Sequence, residues 1–136
     1  GVQTCALPIS SPAVRVTETI DHFETAYGQT LHPDWDRRIY LASSVTLIDV
    51  LRGVDDSANH VLMVGHNPGL EDLVFDLVPD DGSSPLRDVV EEKFPTAALA
   101  VITFETDDWG AIRTNSGTLV RFVRPRDLDV GLGPED

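Results

Sequence analysis

The sequence predicts an α/β layered domain. Apolar positions at helical spacing alternate along it with short apolar runs that suit buried strands. Its 136 residues are enough for one domain and too few for two. Its 41% hydrophobic and 24% charged residues are a globular composition, not a disordered one. A core of this size folds without disulfides or metal staples.

Each element has its own signal. Ser11-Pro12 suits a helix start, with Ser as N-cap and Pro at the first helical position. Val16, Ile20, Phe23 and Tyr27 follow as one apolar face, and Gly28 is the natural stop. Residues 29–38 are polar, carry Pro33 and read as a loop, with a short extended piece at Ile39–Leu41. Ser43 or Ser44 caps a second helix with Val45, Ile48 and Leu51 inward and Gly53 at its end. Asp55 to Asn59 is a polar turn. Val61–Val64 is an apolar run left at Gly65, the pattern of a buried parallel strand. Pro68 opens a third helix whose apolar side is Leu70, Leu73, Val74 and Leu77. Its first-turn acids, Glu71 and Asp72, complement the helix dipole. After the loop at 79–85, a weaker helix is predicted over Leu86–Lys93. Strands follow at Ala97–Phe104 and Thr118–Val123, joined through a Gly- and Asn-containing turn region.

Charge and composition exclude several function classes. There are 23 acids and 10 bases, a formal net charge of −13, which opposes nucleic acid and anionic membrane surfaces. No apolar run approaches the roughly 20 residues of a membrane span. The one cysteine, Cys5, rules out a disulfide framework and a Cys-based zinc cluster. The opening G-V-Q-T-C-A-L-P-I has no charge and no period, and lacks the basic start of a signal peptide. Codon for codon it resembles the translation of a common sequencing adapter. Residues 1–9 are therefore expected to be foreign, with Cys5 among them. The domain is expected at 10–127 and a frayed tail at 128–136.

Two strand-to-helix junctions carry the chemistry, because ligands of open α/β sheets sit beyond the carboxyl ends of the strands. One is Ser10-Ser11-Pro12-Ala13-Val14-Arg15. The other is Val64-Gly65-His66-Asn67-Pro68-Gly69. Each joins a helix N-terminus to a cationic or potentially cationic side chain, a combination that suits phosphate. Arg15 can grip two phosphate oxygens. His66 follows the strand directly, Gly65 leaves room for a ligand near the backbone, and Asn67 is a plausible N-cap. G-H-N-P-G lacks the Gly-Lys-Ser/Thr ending of a P-loop. His22, His32 and His60 read as exposed or structural, and Trp35 and Trp109 as packing or rim residues. Asp80-Asp81 and Asp107-Asp108 read as solvated turn residues.

S-S-P-A-V-R at 10–15, Thr19, V-L-M-V-G-H-N-P-G-L at 61–70, P-T-A-A-L-A-V-I-T-F at 95–104 and R-F-V-R-P-R-D at 121–127 together resemble the histidine phosphatase superfamily. Within that phosphoglycerate mutase-like group they are most similar to the SixA-type phosphohistidine phosphatases. The resemblance implies a three-layer α/β/α fold with a mostly parallel sheet. It also implies a metal-independent, cofactor-free phosphoryl transfer: a histidine attacks phosphorus, and water then cleaves the phosphoenzyme. By that resemblance Arg15 is the pocket arginine and His66 the second active-site histidine. Ser11, Gly65 and Asn67 support them. The implied substrate is a phosphorylated small molecule or a phosphohistidine protein, and the implied location cytoplasmic. Two departures are Val16 in place of a small residue and Glu18 in place of Gln.

The nucleophile has no match, since none of the four histidines follows an Arg. The family's Arg-His-Gly or Arg-His-Ala ends its first strand. That strand is expected to be missing upstream of Ser10, leaving an inactive fragment with exposed apolar surface and an open strand edge. Two other readings are a non-catalytic phosphate-binding module of the same fold and a superfamily member acting on sugar phosphates.

Overall fold

The computed structural model describes residues 7–28, 32–95 and 98–124. The tail at 128–136, Cys5 and the side chains of Phe23 and Tyr27 lie outside the described residues. In chain order the elements are β1 (Leu7–Ser10), α1 (Val14–Tyr27), β2 (Asp34–Trp35), α2 (Ser44–Arg52), β3 (Val61–Val64), α3 (Gly69–Leu77), α4 (Pro85–Glu92), β4 (Leu99–Phe104) and β5 (Gly117–Val123). Short 3₁₀ turns occupy Arg37–Ile39 and Trp109–Ala111.

β1 lies between β2 and β3 in a parallel sheet, while β4 and β5 form a separate antiparallel pair with a bulge between Val101 and Ile102. The chain leaves β1 toward β2 and then crosses back to β3. Right-handed crossovers in opposite directions put α1 and α2 on opposite faces, which makes three layers. The core agrees. Ile9, Ile39, Leu47, Val50, Leu51, Leu73, Leu77 and Ile112 pack as one cluster between the sheet, α2 and α3. Val16 and Ile20 of α1 are buried outside it. A second cluster, built on Val74, Val78, Val90, Leu119 and Phe122, joins α3 and α4 to the antiparallel pair. No helix among the described residues is long and apolar enough to cross a membrane.

Several expectations shift. Residues 1–9 carried no expected element, yet Leu7–Ser10 form β1, and Ile9 enters the core. The strand after α1 is Asp34–Trp35, inside the expected loop and ahead of Ile39–Leu41. Backbone pairing with β1 holds it, and both of its residues are exposed, so no apolar pattern marked it. α2 is capped by Ser43 and ends at Gly53 as expected, but its inward residues are Leu47, Val50 and Leu51, and Val45 is exposed. Gly28 ends α1 in the left-handed conformation. Ser84, followed by Pro85, caps α4 by accepting from the Arg87 N–H.

Arg87 is the most deeply placed charge among the described side chains. Its Nε donates to the Val78 carbonyl at 3.1 Å, its guanidinium pairs with Glu91 and, at 3.4 Å, with Asp80, and it lies over the Phe75 ring. Removing it strands the Val78 carbonyl in an apolar cluster, whereas Glu91 and Asp80 are open enough to rehydrate. Arg87→Met is therefore expected to cost about 2–3 kcal/mol. In urea unfolding it should appear as a lower midpoint at an unchanged slope. A midpoint equal to that of the parent chain would show that the packing tolerates the loss.

Candidate functional site

The register of β1 and β3 builds the site. Ser10 lies opposite Val64, so the residues that leave the two strands, Ser11 and Gly65-His66, emerge side by side. The Ser11 N–H donates to the Val64 carbonyl at 3.0 Å. One bond length further on, Ser11 Oγ and His66 Nε2 are 2.8 Å apart. Two junctions separated by 55 positions in sequence thus meet in one hydrogen bond. They meet at the switch point where the chain reverses direction across the sheet, the usual ligand crevice of such folds.

Ser11 is fully buried and is not a conventional helix cap. α1 begins at Val14 with Ala13 as its N-cap and no side-chain cap, two residues later than the N-cap reading of Ser11 implied. Ser11 Oγ accepts from the Ala13 N–H at 3.3 Å. The Ser11 hydroxyl thus bridges the Ala13 N–H and His66 Nε2, and the His66 tautomer sets which of the two side chains donates. The Tyr40 ring stands edge-on to His66 at 5.4 Å and holds its plane from the side. Tyr40 drew no notice in the sequence, where it sits in a piece read only as extended.

Arg15 is exposed in the first turn of α1, and its charge reaches His66. Burial, and secondly the Arg15 guanidinium, hold His66 below the ordinary imidazole value of 6.5. The free site therefore favours the neutral imidazole beside the Arg15 guanidinium. A bound dianion reverses the balance, because it favours the imidazolium.

The supporting residues differ from expectation in their roles. Gly65 does not open space for a ligand: a Cβ there would meet Ile39 Cγ2 at 2.9 Å, so the glycine is a packing requirement. Asn67 is not the N-cap of α3, which begins at Gly69 after Pro68. Its Nδ2 donates to the Phe94 carbonyl at 3.0 Å, tying the loop after β3 to the segment before β4. The His66 carbonyl accepts from the Leu70 N–H at 3.0 Å, which anchors His66 to the first turn of α3. Val14, Trp35, Tyr40 and Leu41 are exposed apolar residues in the segments that leave this end of the sheet.

No family model matches the chain. Among solved structures it superposes on a protein of Nakamurella multipartitia provisionally named phosphohistidine phosphatase SixA, with a TM-score of 0.75 and 21% identity. That match covers 91% of this chain and 73% of the other. A second match, to a protein of Agrobacterium tumefaciens under the same provisional name, has a TM-score of 0.66 and 25% identity over 88% of this chain and 67% of the other. The fold is that of the SixA-like histidine phosphatases. Relatives by sequence include an uncharacterised protein of Mycobacterium tuberculosis, 29% identical over 119 residues, 87% of this chain and 72% of the relative. One of Mycobacterium leprae is 26% identical over 118 residues, 87% of this chain and 70% of the relative. The SixA-like fold accounts for the placement of the Ser11–His66 pair, since both residues follow directly from the carboxyl ends of adjacent parallel strands.

Proposed function

We propose that the chain supplies the phosphate-holding half of a phosphatase site of the SixA type. The substrate is a phosphohistidine or related phosphomonoester, on a small molecule or a protein. One observation carries this reading: Ser11 and His66 are hydrogen-bonded at the sheet's switch point, with the Arg15 charge acting on the same imidazole. Phosphoryl transfer spreads negative charge over the equatorial oxygens, so catalysis is mainly positioning and electrostatic clamping. Arg15 offers two parallel N–H donors to those oxygens. His66, protonated once the dianion is bound, adds a second cation, and Ser11 and Tyr40 fix its ring.

The attacking group in this chemistry is a second histidine that follows an arginine, and the 136 residues contain no Arg-His pair. The chain by itself is therefore expected to bind anions without hydrolysing phosphate esters. The same fact favours a second reading, a non-catalytic phosphate-binding module. An in-frame Arg-His-Gly or Arg-His-Ala upstream of the Ser10 codon supports the enzyme, and its absence supports the module.

Sulfate is the test ligand, because it keeps its charge across the pH range in which His66 titrates. Folded His66 binds its proton only below 6.5, and the bound anion raises that pKa. Sulfate is thus expected to bind with proton uptake and more tightly as pH falls through this window. His66→Ala should remove the pH dependence. Calorimetry in two buffers of different ionisation enthalpy measures the uptake. Affinity independent of pH in the parent chain would remove His66 from the site.

A further inference from the structure

A tight turn packs onto the loop that carries His66. Residues 39–42 form it: the Ala42 N–H donates to the Ile39 carbonyl at 3.3 Å, Tyr40 has φ −64° and ψ 115°, and Leu41 has φ 49°. These are the dihedrals of a type II β-turn, whose third residue needs a positive φ and is usually glycine. Both ends of the turn sit in gaps left by glycines. Ile39, fully buried, fills the space that a Cβ at Gly65 would take, and the Ala42 carbonyl fills the space at Gly69. The two glycines bracket His66-Asn67-Pro68, so turn and loop pack as one unit.

The side chains on this turn do not serve the fold. A left-handed backbone disfavours any residue with a Cβ, and Leu41 gains little from burial in return, since it is 60% exposed. Tyr40 is 53% exposed although its ring edge meets His66. Glycine at 41 and a polar residue at 40 would suit the turn and the solvent better.

Their place accounts for them. Fully buried Ser11 closes the inner side of the imidazole. Tyr40 stands at the same ring, half in solvent, with Leu41 next to it. An anion held by His66 and Arg15 therefore carries the rest of its molecule past this pair. Trp35, which pairs with Ser10 in β2, and Val14, next to Arg15, are further exposed apolar residues at this end of the sheet. An apolar group loses little by leaving water for such a surface, and an aromatic one gains ring contact. Sugar hydroxyls would give up water for a ring face and an alkyl chain that cannot hydrogen-bond.

We propose that Tyr40 and Leu41 form the leaving-group wall of the site, which selects phosphorylated compounds with an apolar ring beside the phosphoryl group over phosphorylated sugars. The proposal rests on the function given above and names residues that set its specificity.

Phenyl phosphate, methyl phosphate and glucose 6-phosphate are the probes, at a pH where all three are dianions. Each is titrated into the 136-residue chain in competition with sulfate, and the His66 ring resonances locate the binding. Phenyl phosphate is expected to bind about 3- to 10-fold more tightly than the other two. Tyr40→Ala should bring that ratio close to one, whatever it does to the separate affinities through His66, and Tyr40→Phe should keep it. Leu41→Gly should lower the ratio and leave the melting temperature unchanged or higher, because relief of the positive φ offsets the freedom glycine adds to the unfolded chain. Equal affinities in the parent chain, or a preference that survives Tyr40→Ala, would overturn the wall and leave the phosphate site standing. A Leu41→Gly chain that melts several degrees lower at an unchanged ratio would show that the leucine serves the fold. Failure of sulfate and all three esters to bind at His66 would remove the phosphate site, and the wall with it.

Discussion

Gly69→Ala is expected to lower the melting temperature by about 10 °C. A Cβ at position 69 would run into the Ala42 carbonyl oxygen and stand 3.5 Å from Leu47 Cδ1. The close contact is with backbone, so no rotamer change relieves it. Either the segment between the 3₁₀ turn and α2 moves or the start of α3 does, and both belong to the main core. Overpacking of this kind costs about 3 kcal/mol, more than the roughly 1 kcal/mol that Ala gains over Gly in a helix. Gly53→Ala is the matched control: its φ is −89° and the nearest atom is an ordinary 3.6 Å away. That change should leave the melt within a degree or two or raise it slightly. Equal melting temperatures for the two variants would refute the close approach of α3 to Ala42. Because the Leu70 N–H holds the His66 carbonyl, Gly69→Ala should also weaken sulfate binding.

Replacing Arg15 is expected to weaken sulfate binding by about 10- to 100-fold, the range for losing a charge-assisted hydrogen bond. Two variants separate charge from geometry. In Arg15→Ala the nearby cation is gone, so His66 should titrate closer to 6.5 than in the parent chain, while burial still holds it down. In Arg15→Lys a cation remains and His66 should stay depressed, yet affinity should still fall because lysine cannot offer the two-pronged donor. NMR titration of the His66 ring with and without sulfate reads both effects. If Arg15→Ala leaves affinity and the His66 titration unchanged, the arginine lies outside the site. The change should leave stability nearly untouched, since Arg15 is exposed.

How much of this was legible in the sequence depended on range. The Ser43 cap, the Gly28 and Gly53 stops and the β3 run were readable because each is a signal within a few residues. The inward face of α2 was misread because its nine residues include six apolar or β-branched positions that support more than one stripe. Only packing against α3 selects Leu47 and Val50. β2 left no trace, because two exposed residues held by main-chain bonds need no apolar pattern. Gly65 and Gly69 stood out as glycines, but the neighbours that require them, Ile39 and Ala42, are far away in sequence.

The site divides along the same line. By itself the sequence determined an α/β domain, an acidic chain, and two junctions where Arg15 and His66 stand beside helix starts. It also showed that no histidine follows an arginine. These are properties of composition and of residues adjacent in the chain. Only the tertiary structure decided that Ser11 spends its hydroxyl on His66, that Asn67 reaches Phe94, and that Tyr40 flanks the imidazole. Each follows from strand register and sheet order, and a sequence specifies those through the energy of the whole core rather than through any local pattern.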